Sequence, residues 1–431
     1  MRCVSTRGGV AVSIDDALSA GLAPDGGLYI PTHWPTVALD APGATLADTA
    51  FALLQPFFVN SALASRLRDI CAYALAFEAP LRPLRGERDF LLELFHGPTC
   101  AFKDFGARFL AASLSALRGD AAPPLTILVA TSGDTGAAVA SAFHALPGFR
   151  VVILYPDGGV SPRQAQGLEC WGDNVRTFRV QGTFDACQAM VKAALSDPAL
   201  RARVPVASAN SISLGRLLPQ AAYHAHAALQ CREATGQPLN LVVPTGNLGN
   251  ACAAVMARRM GLPIGDIVLS TNANDTLPRY FAGDAYMARP SMPTLANAMD
   301  VGAPSNFERL RAWHRDDADL RASLTAQAVD DATILDTIRA APVRHGVVPC
   351  PHTATGLHVL ERVRAQGDTR PWAVCATAHP AKFEAIVEPV IGVRVPVPPA
   401  LAAMDARPAH FGRLPATGDA LCDVLGSRGP T

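Results

Sequence analysis

The segment Phe95-His96-Gly97-Pro98-Thr99-Cys100-Ala101-Phe102-Lys103-Asp104-Phe105-Gly106 sets a lysine between phenylalanines in a chain where lysine is scarce. Only Lys103, Lys192 and Lys382 occur, although lysine and arginine together number 37. As solvated positive charges the two residue types replace one another. A lysine retained against such an arginine bias therefore points to chemistry that guanidinium cannot do, namely a deprotonatable amine acting as nucleophile or proton shuttle. Lys192, within Met190-Val191-Lys192-Ala193, reads as an ordinary helix-surface residue. Lys103 reads differently, because its aromatic neighbours imply a desolvated amine with a depressed pKa.

Two loops rich in glycine, Thr131-Ser132-Gly133-Asp134-Thr135-Gly136 and Pro244-Thr245-Gly246-Asn247-Leu248-Gly249-Asn250, each separate a β-branched run from an alanine-rich stretch. Glycine at such a junction lets backbone approach an anion, which the free amides and the positive end of the helix dipole then bind. Two loops imply two anions. Neither is GxGxxG and neither carries GK[ST], so dinucleotides and nucleoside triphosphates lose their main support. A third loop, Ala376-Thr377-Ala378-His379-Pro380, offers a hydroxyl. Together these groups match the needs of pyridoxal phosphate: an amine for the aldehyde, a nest for the phosphate, a partner for the ring nitrogen and a place for a substrate carboxylate.

The elements that must position these groups alternate in type. Strands are expected at residues 125–130, 151–155, 240–243, 267–270 and 372–375, and helices at about 137–146, 251–260 and 381–387, the pattern of parallel sheets covered by helices. All three loops fall where strand C-termini meet helix N-termini, the place where open α/β sheets collect ligands. Softer shifts divide the chain into an N-terminal helical and loop-rich region (1–93), a smaller α/β region with Lys103 and the 131–136 loop (94–225) and a larger, discontinuous α/β region (226–431). A proline-rich tail follows about Val395.

Composition narrows the partners. With 431 residues and 49% hydrophobic content the chain can bury large cores, and zero formal net charge with 17% charged residues argues against nucleic acid. The expected partner is a small molecule. Ten cysteines without a CxxC pair or Cys/His ligand spacing fit a reduced compartment and no metal site. The longest uncharged apolar stretch, near 238–257, is broken by Pro238, Pro244, Gly246 and Gly249, which excludes a membrane span there. Met1-Arg2-Cys3-Val4-Ser5-Thr6 lacks a secretory core, so a cytoplasmic protein is expected. Monomer and homodimer are both left open.

The motifs GLAPDGGLYIP, HGPTCAFKDFG, ATSGDTGAAVA, VVILYPDGGVSP, SANSISLGRLL, PTGNLGNACA, TNANDTLPR, LANAMDVGAPSN and TAHPAKF, in this order, resemble those of the threonine synthase family. That family lies within the fold-type II (tryptophan synthase β-like) pyridoxal-phosphate enzymes, and the resemblance covers nearly the whole chain. It implies two open, mostly parallel twisted sheets covered by helices. It also implies Lys103 as the Schiff-base lysine, Gly246, Asn247, Leu248, Gly249 and Asn250 as the cofactor-phosphate loop, and Thr377 as the ring-nitrogen partner, a position equally suited to a helix N-cap. Ser132, Gly133 and Thr135 would hold the substrate carboxylate, with Asp134 bordering the cofactor's 3′ oxygen. A carboxylate so placed needs a compensating donor. Asn210, Ser211 and Arg216 resemble the residues that hold a substrate phosphate, for which the planar guanidinium is suited, although a lone arginine commonly sits at the surface. His96, His352 and His379 read as satisfied core groups.

Three positions depart from the family pattern: Cys100 stands where an aliphatic residue is commoner, and Leu248 and Asn250 where aromatic and acidic residues are frequent. None removes a group that the chemistry needs. The implied reaction converts O-phospho-L-homoserine and water to L-threonine and phosphate, the last step of threonine biosynthesis. A phospho-lyase or serine/threonine dehydratase on the same scaffold is an alternative, and a dehydratase would not need Arg216 or Asn210. A catalytically inactive, cofactor-binding regulatory protein is another, against which the intact Lys103 and both loops stand.

Overall fold

Apolar runs without polar alternation form strands covered on both faces, and Leu125–Ala130, Leu239–Pro244 and Trp372–Ala376 are buried along their full length. The computed structural model describes residues 1–119 and 122–426. Its largest sheet contains, in spatial order, β12 (Thr325–Ala328), β11 (Ile264–Thr271), β10 (Leu239–Pro244), β13 (Trp372–Ala376), β5 (Asp89–Glu93) and β4 (Leu81–Pro83). All neighbours are parallel except the edge pair β4 and β5. A second, wholly parallel sheet runs β14 (Gly412–Pro415), β8 (Val175–Gln181), β7 (Phe149–Pro156), β6 (Leu125–Ala130) and β9 (Val206–Ser208).

In two places the structure adds strands that the sequence did not indicate. The N-terminal region is more than helices and loops, because β1 (Arg2–Ser5), β2 (Gly8–Ser13) and β3 (Tyr29–Pro31) make a small antiparallel sheet. Strands this short hold too few residues for alternation to stand out. The tail after Val395 is also structured: it forms the helices Pro399–Asp405 and Gly418–Gly426 and supplies β14 to the smaller sheet. Strand membership thus crosses the positions 93 and 225, since β4 and β5 join the larger sheet and β14 the smaller.

The helix Lys103–Leu117 fastens these parts together. Phe105 and Phe109 face a core shared with the N-terminal helices, where Phe77 lies 4.5 Å from Phe105 and Phe58 lies 6.2 Å from Phe109 between ring centroids. Ala107, Leu110, Ala111 and Leu114 turn toward the core beneath the smaller sheet. Each buried leucine or phenylalanine contributes about 1.5–3 kcal/mol. A helix gripped on two faces holds its first residue, Lys103, at a defined place.

The functional helices begin slightly earlier than expected. Asp134–Phe143 starts within the glycine loop and Gly249–Arg259 at its second glycine, so Asp134, Thr135 and Asn250 all lie in first turns. The stretch after the third loop is a 3-10 turn, Pro380–Phe383, followed by the helix Glu384–Ile391.

Candidate active site

Lys103 is presented by a loop bolted to the end of β13. Asp104, fully desolvated, accepts from the Thr99 amide at 2.8 Å and the Thr99 hydroxyl at 2.7 Å, tying the loop to the helix start. The Phe102 amide donates to the Thr377 carbonyl (2.9 Å), the His379 amide donates to the Cys100 carbonyl (3.0 Å), and Ala101 bridges to Ala378. Cys100 adopts φ 53°, a strained conformation that such bonds can sustain. Burial, aided by repulsion from Lys382 and Arg216 and opposed by Asp134, lowers the Lys103 pKa to about 8. An amine so placed is still mostly protonated near physiological pH, but its neutral fraction is far larger than that of an ordinary lysine.

The loop after β6 is organised by Thr131, whose hydroxyl accepts from the amides of Gly133 (3.0 Å) and Gly136 (2.9 Å). Gly133 takes φ 129°, a conformation open essentially to glycine, and turns the chain into the helix. Asp134 obtains its compensating donor from Lys382, whose ammonium lies 2.7 Å from Oδ1 and also donates to the Thr99 carbonyl at 2.8 Å. Both side chains are 4% exposed. Although burial would raise the Asp134 pKa, Lys382 and Lys103 outweigh it and hold the carboxyl well below the usual range.

The loop after β10 approaches backbone so closely that a Cβ on Gly246 would stand 2.8 Å from the Met299 Cα. Leu248 is left-handed at φ 64°, the residue from which the helix Gly249–Arg259 departs. The first-turn amides of that helix have no intrahelical acceptor and are free for an anion. Asn247 donates to the Ser211 hydroxyl at 2.7 Å and Asn306 donates to the Asn247 carbonyl at 2.8 Å, so this loop and the 210–216 segment are stitched together. Asn250 points its oxygen away, to the Tyr223 hydroxyl (2.7 Å) and His224 Nε2 (2.8 Å).

Arg216 is not at the surface. It is 1% exposed, donates to the Ala209 carbonyl, and leaves Nε without a partner. Burial, opposed by Asp104, lowers its pKa to about 10. Asn210 Oδ1 is likewise buried and unbonded. One cleft is lined by Lys103, Ser132, Asp134, Thr135, Asn210, Ser211, Arg216, all five residues of Gly246–Asn250 and Thr377. Of the residues implied at the sequence level, Gly133 alone is not among its lining, standing behind it as the hinge of the turn.

A model of pyridoxal-phosphate dependent enzymes matches residues 79–380, and models of the threonine synthase N terminus and C-terminal region match 2–75 and 353–424. Threonine synthase of Haemophilus influenzae is 40% identical over 396 residues, covering 90% of this chain and 91% of that protein. The chain belongs to the threonine synthase family. The Escherichia coli K12 member is 38% identical, with 96% of each chain covered. A crystal structure of threonine synthase from Escherichia coli superposes with a TM-score of 0.91 at 37% identity and 99% coverage of both chains. A pyridoxal-phosphate-bound threonine synthase from Brucella melitensis gives 0.89 at 33% identity, covering 99% of this chain and 98% of that one.

The family's cofactor fits the residues present: a cleft-facing amine, a helix N-terminus at a glycine loop, and a hydroxyl at Thr377. Thr377 is not the cap of the turn that follows, because His379 accepts from the Ala381 amide (3.2 Å) and fills that role. His352 accepts from the Ala298 amide at 3.1 Å, and burial lowers its pKa to about 4. His96 pairs with Glu93 at 2.8 Å. Each of these histidines has a partner, but only His352 among them is a buried group, and it also lines the cleft; His379 is half-buried and His96 is exposed rather than part of a core. Lys382 escaped sequence reasoning although TAHPAKF contains it. Its signal was scarcity, as one of three lysines. No helix among the described residues is long and apolar enough to cross a membrane.

Proposed function

We propose that the protein converts O-phospho-L-homoserine and water to L-threonine and phosphate, with Lys103 as the residue that carries the cofactor and moves protons. The observation that supports this reading over a dehydratase is Arg216, a buried cation with an unpartnered Nε in the same cleft as Lys103. A dehydratase substrate has no phosphate to occupy it. When bound, pyridoxal phosphate supplies an aldehyde for amines and an electron sink for the substrate carbon framework.

The chain's own residues do the rest. The amides of Gly246–Asn250 receive the cofactor phosphate, with Thr377 facing the ring nitrogen as a neutral hydroxyl. Ser132 and Thr135 receive the substrate carboxylate at the start of the helix Asp134–Phe143, with Gly133 making the turn behind them. Arg216, Asn210 and Ser211 receive the substrate phosphate, bringing Cγ and its leaving group under a cation. Lys103, with a pKa of about 8, can take a proton from Cα and then from Cβ and return one later. The reacting carbons must be shielded from bulk water until one water adds at Cβ, which calls for the open cleft to close over the bound substrate.

Incubation of the purified protein with O-phospho-L-homoserine tests the reading. Phosphate and threonine should appear in equal amounts, and borohydride should fix the cofactor to Lys103. Release of a keto acid, or fixation at Lys382 or Lys192, would overturn it.

A further inference from the structure

Lys382 and Asp134 meet across the joint between the two large sheets. Asp134 follows β6 of the smaller sheet, whereas Lys382 follows β13 of the larger. Their contact is the centre of a polar seam. Ser161 donates to the Lys382 carbonyl at 3.1 Å, Arg163 to the Ala381 carbonyl, and Asn297 to the Gln164 side-chain oxygen at 3.0 Å. Gln164 in turn reaches Asp134 Oδ1 at 3.4 Å. Lys382 also grips the Thr99 carbonyl, four residues before Lys103. Asp134 thus acts on two amines: it makes its hydrogen-bonded ion pair with the buried Lys382 and reaches the half-buried Lys103 only through its field.

We propose that Lys382 is a positioning residue for the catalytic amine: by engaging the Asp134 carboxylate across the sheet joint, it keeps Asp134 charged while preventing it from locking Lys103 as an ammonium. This rests on the reading of Lys103 given above. The charge count carries the argument. With Asp134 anionic and Lys382 cationic, the local sum is zero when Lys103 is neutral, so the reactive form of the amine is the electrically balanced one. Without Lys382, the balanced arrangement is Asp134 with a charged Lys103, which cannot attack a carbonyl. The other ionisable groups around the trio do not change the sign. Arg216 repels a charged Lys103, His352 is held neutral by burial, Cys100 and Cys350 are thiols whose pKa burial raises, and Asp104 is taken by Thr99.

The test measures the neutral amine directly, without turnover. The full-length protein is stripped of cofactor, pulse-acetylated with acetic anhydride across pH, and the acetylation of Lys103 is read by peptide mass spectrometry. Lys382→Met should move the midpoint for Lys103 up by about one unit or more. Asp134→Asn should move it down, since Lys382 then repels Lys103 without compensation. Lys382→Arg should keep it near the parent value, and the double variant Asp134→Asn with Lys382→Met should return close to it. A seam that merely holds the sheets together predicts the opposite for Asp134→Asn, because opening the joint hydrates Lys103 and raises its midpoint. Upward shifts in both single variants, or no shift in Lys382→Met, overturn the proposal. If Lys382→Met does not fold, Asp134→Asn and Lys382→Arg decide by the same signs. Borohydride fixation of cofactor away from Lys103 in the unmutated protein would instead overturn the functional reading, which separates the two failures.

Discussion

Replacing Arg216 by methionine should separate substrate binding from stability. The guanidinium is 1% exposed, and desolvation already disfavours its charge. Methionine retains an apolar stem and abandons the bond to the Ala209 carbonyl, a loss of about 1 kcal/mol. Relief of a buried cation offsets a similar amount or more, so unfolding free energy should stay within about 2 kcal/mol of the parent. The substrate phosphate loses one side of a buried charge pair, which costs about 2–5 kcal/mol. At ~1.4 kcal/mol per decade that is roughly a 30- to 5,000-fold fall in kcat/KM for O-phospho-L-homoserine. Phosphate-release rates across substrate concentration, denaturant melts and cofactor absorbance measure the three quantities side by side. A fall in kcat/KM of less than about threefold would refute the assignment to substrate phosphate. Destabilisation beyond about 4 kcal/mol with loss of cofactor would make Arg216 a structural staple instead.

Three further substitutions probe the same cleft. Gly246→Ala places a Cβ 2.8 Å from the Met299 Cα, so the loop must shift at a cost of about 1–3 kcal/mol; equilibrium titration should show weaker cofactor binding, and an unchanged affinity contradicts the role of this loop. Gly106→Ala brings a Cβ to 2.6 Å from the Arg216 carbonyl and 2.9 Å from its Nε. It should raise KM for the phosphorylated substrate while cofactor content stays constant, and unaltered KM in a folded variant argues against Arg216 as its anchor. Thr377→Asp should favour a protonated ring nitrogen, slow threonine formation and break the equality of phosphate and threonine. Parent rates with that equality intact would place the nitrogen partner elsewhere.

Groups that act through local spacing were legible in the sequence. Lys103 among aromatics and the two glycine loops declare themselves within a dozen residues, because a strand end, a turn and a helix start are contiguous in the chain. Arg216 was legible by its Asn-Ser neighbourhood, yet its depth was not, since burial depends on the helix Lys103–Leu117 packing over it. The role of Lys382 was hidden for a plainer reason: its partners Asp134 and Thr99 are distant in sequence, the latter by 283 positions. No periodicity reports a contact of that range. The N-terminal sheet and β14 were missed because strands of three to six residues carry little pattern, and what fixes them is hydrogen bonding to neighbours already in place.

The place of β13 has a consequence for how the protein is made. This strand lies between β10 and β5, so until residues 372–376 exist both neighbours present open edges. At roughly 5–20 residues per second, the 283 positions from Thr99 to Lys382 correspond to about 15–60 seconds of synthesis. For nearly all of that interval Lys103 has been made but lacks the loop that fixes Phe102 and the ammonium that engages Asp134. The nascent chain is not a partial enzyme, because its central strand is absent. Reactive aldehyde met by an unfinished chain finds an amine without a site, and cofactor loading becomes an event of completion, confined to molecules whose central strand has been inserted.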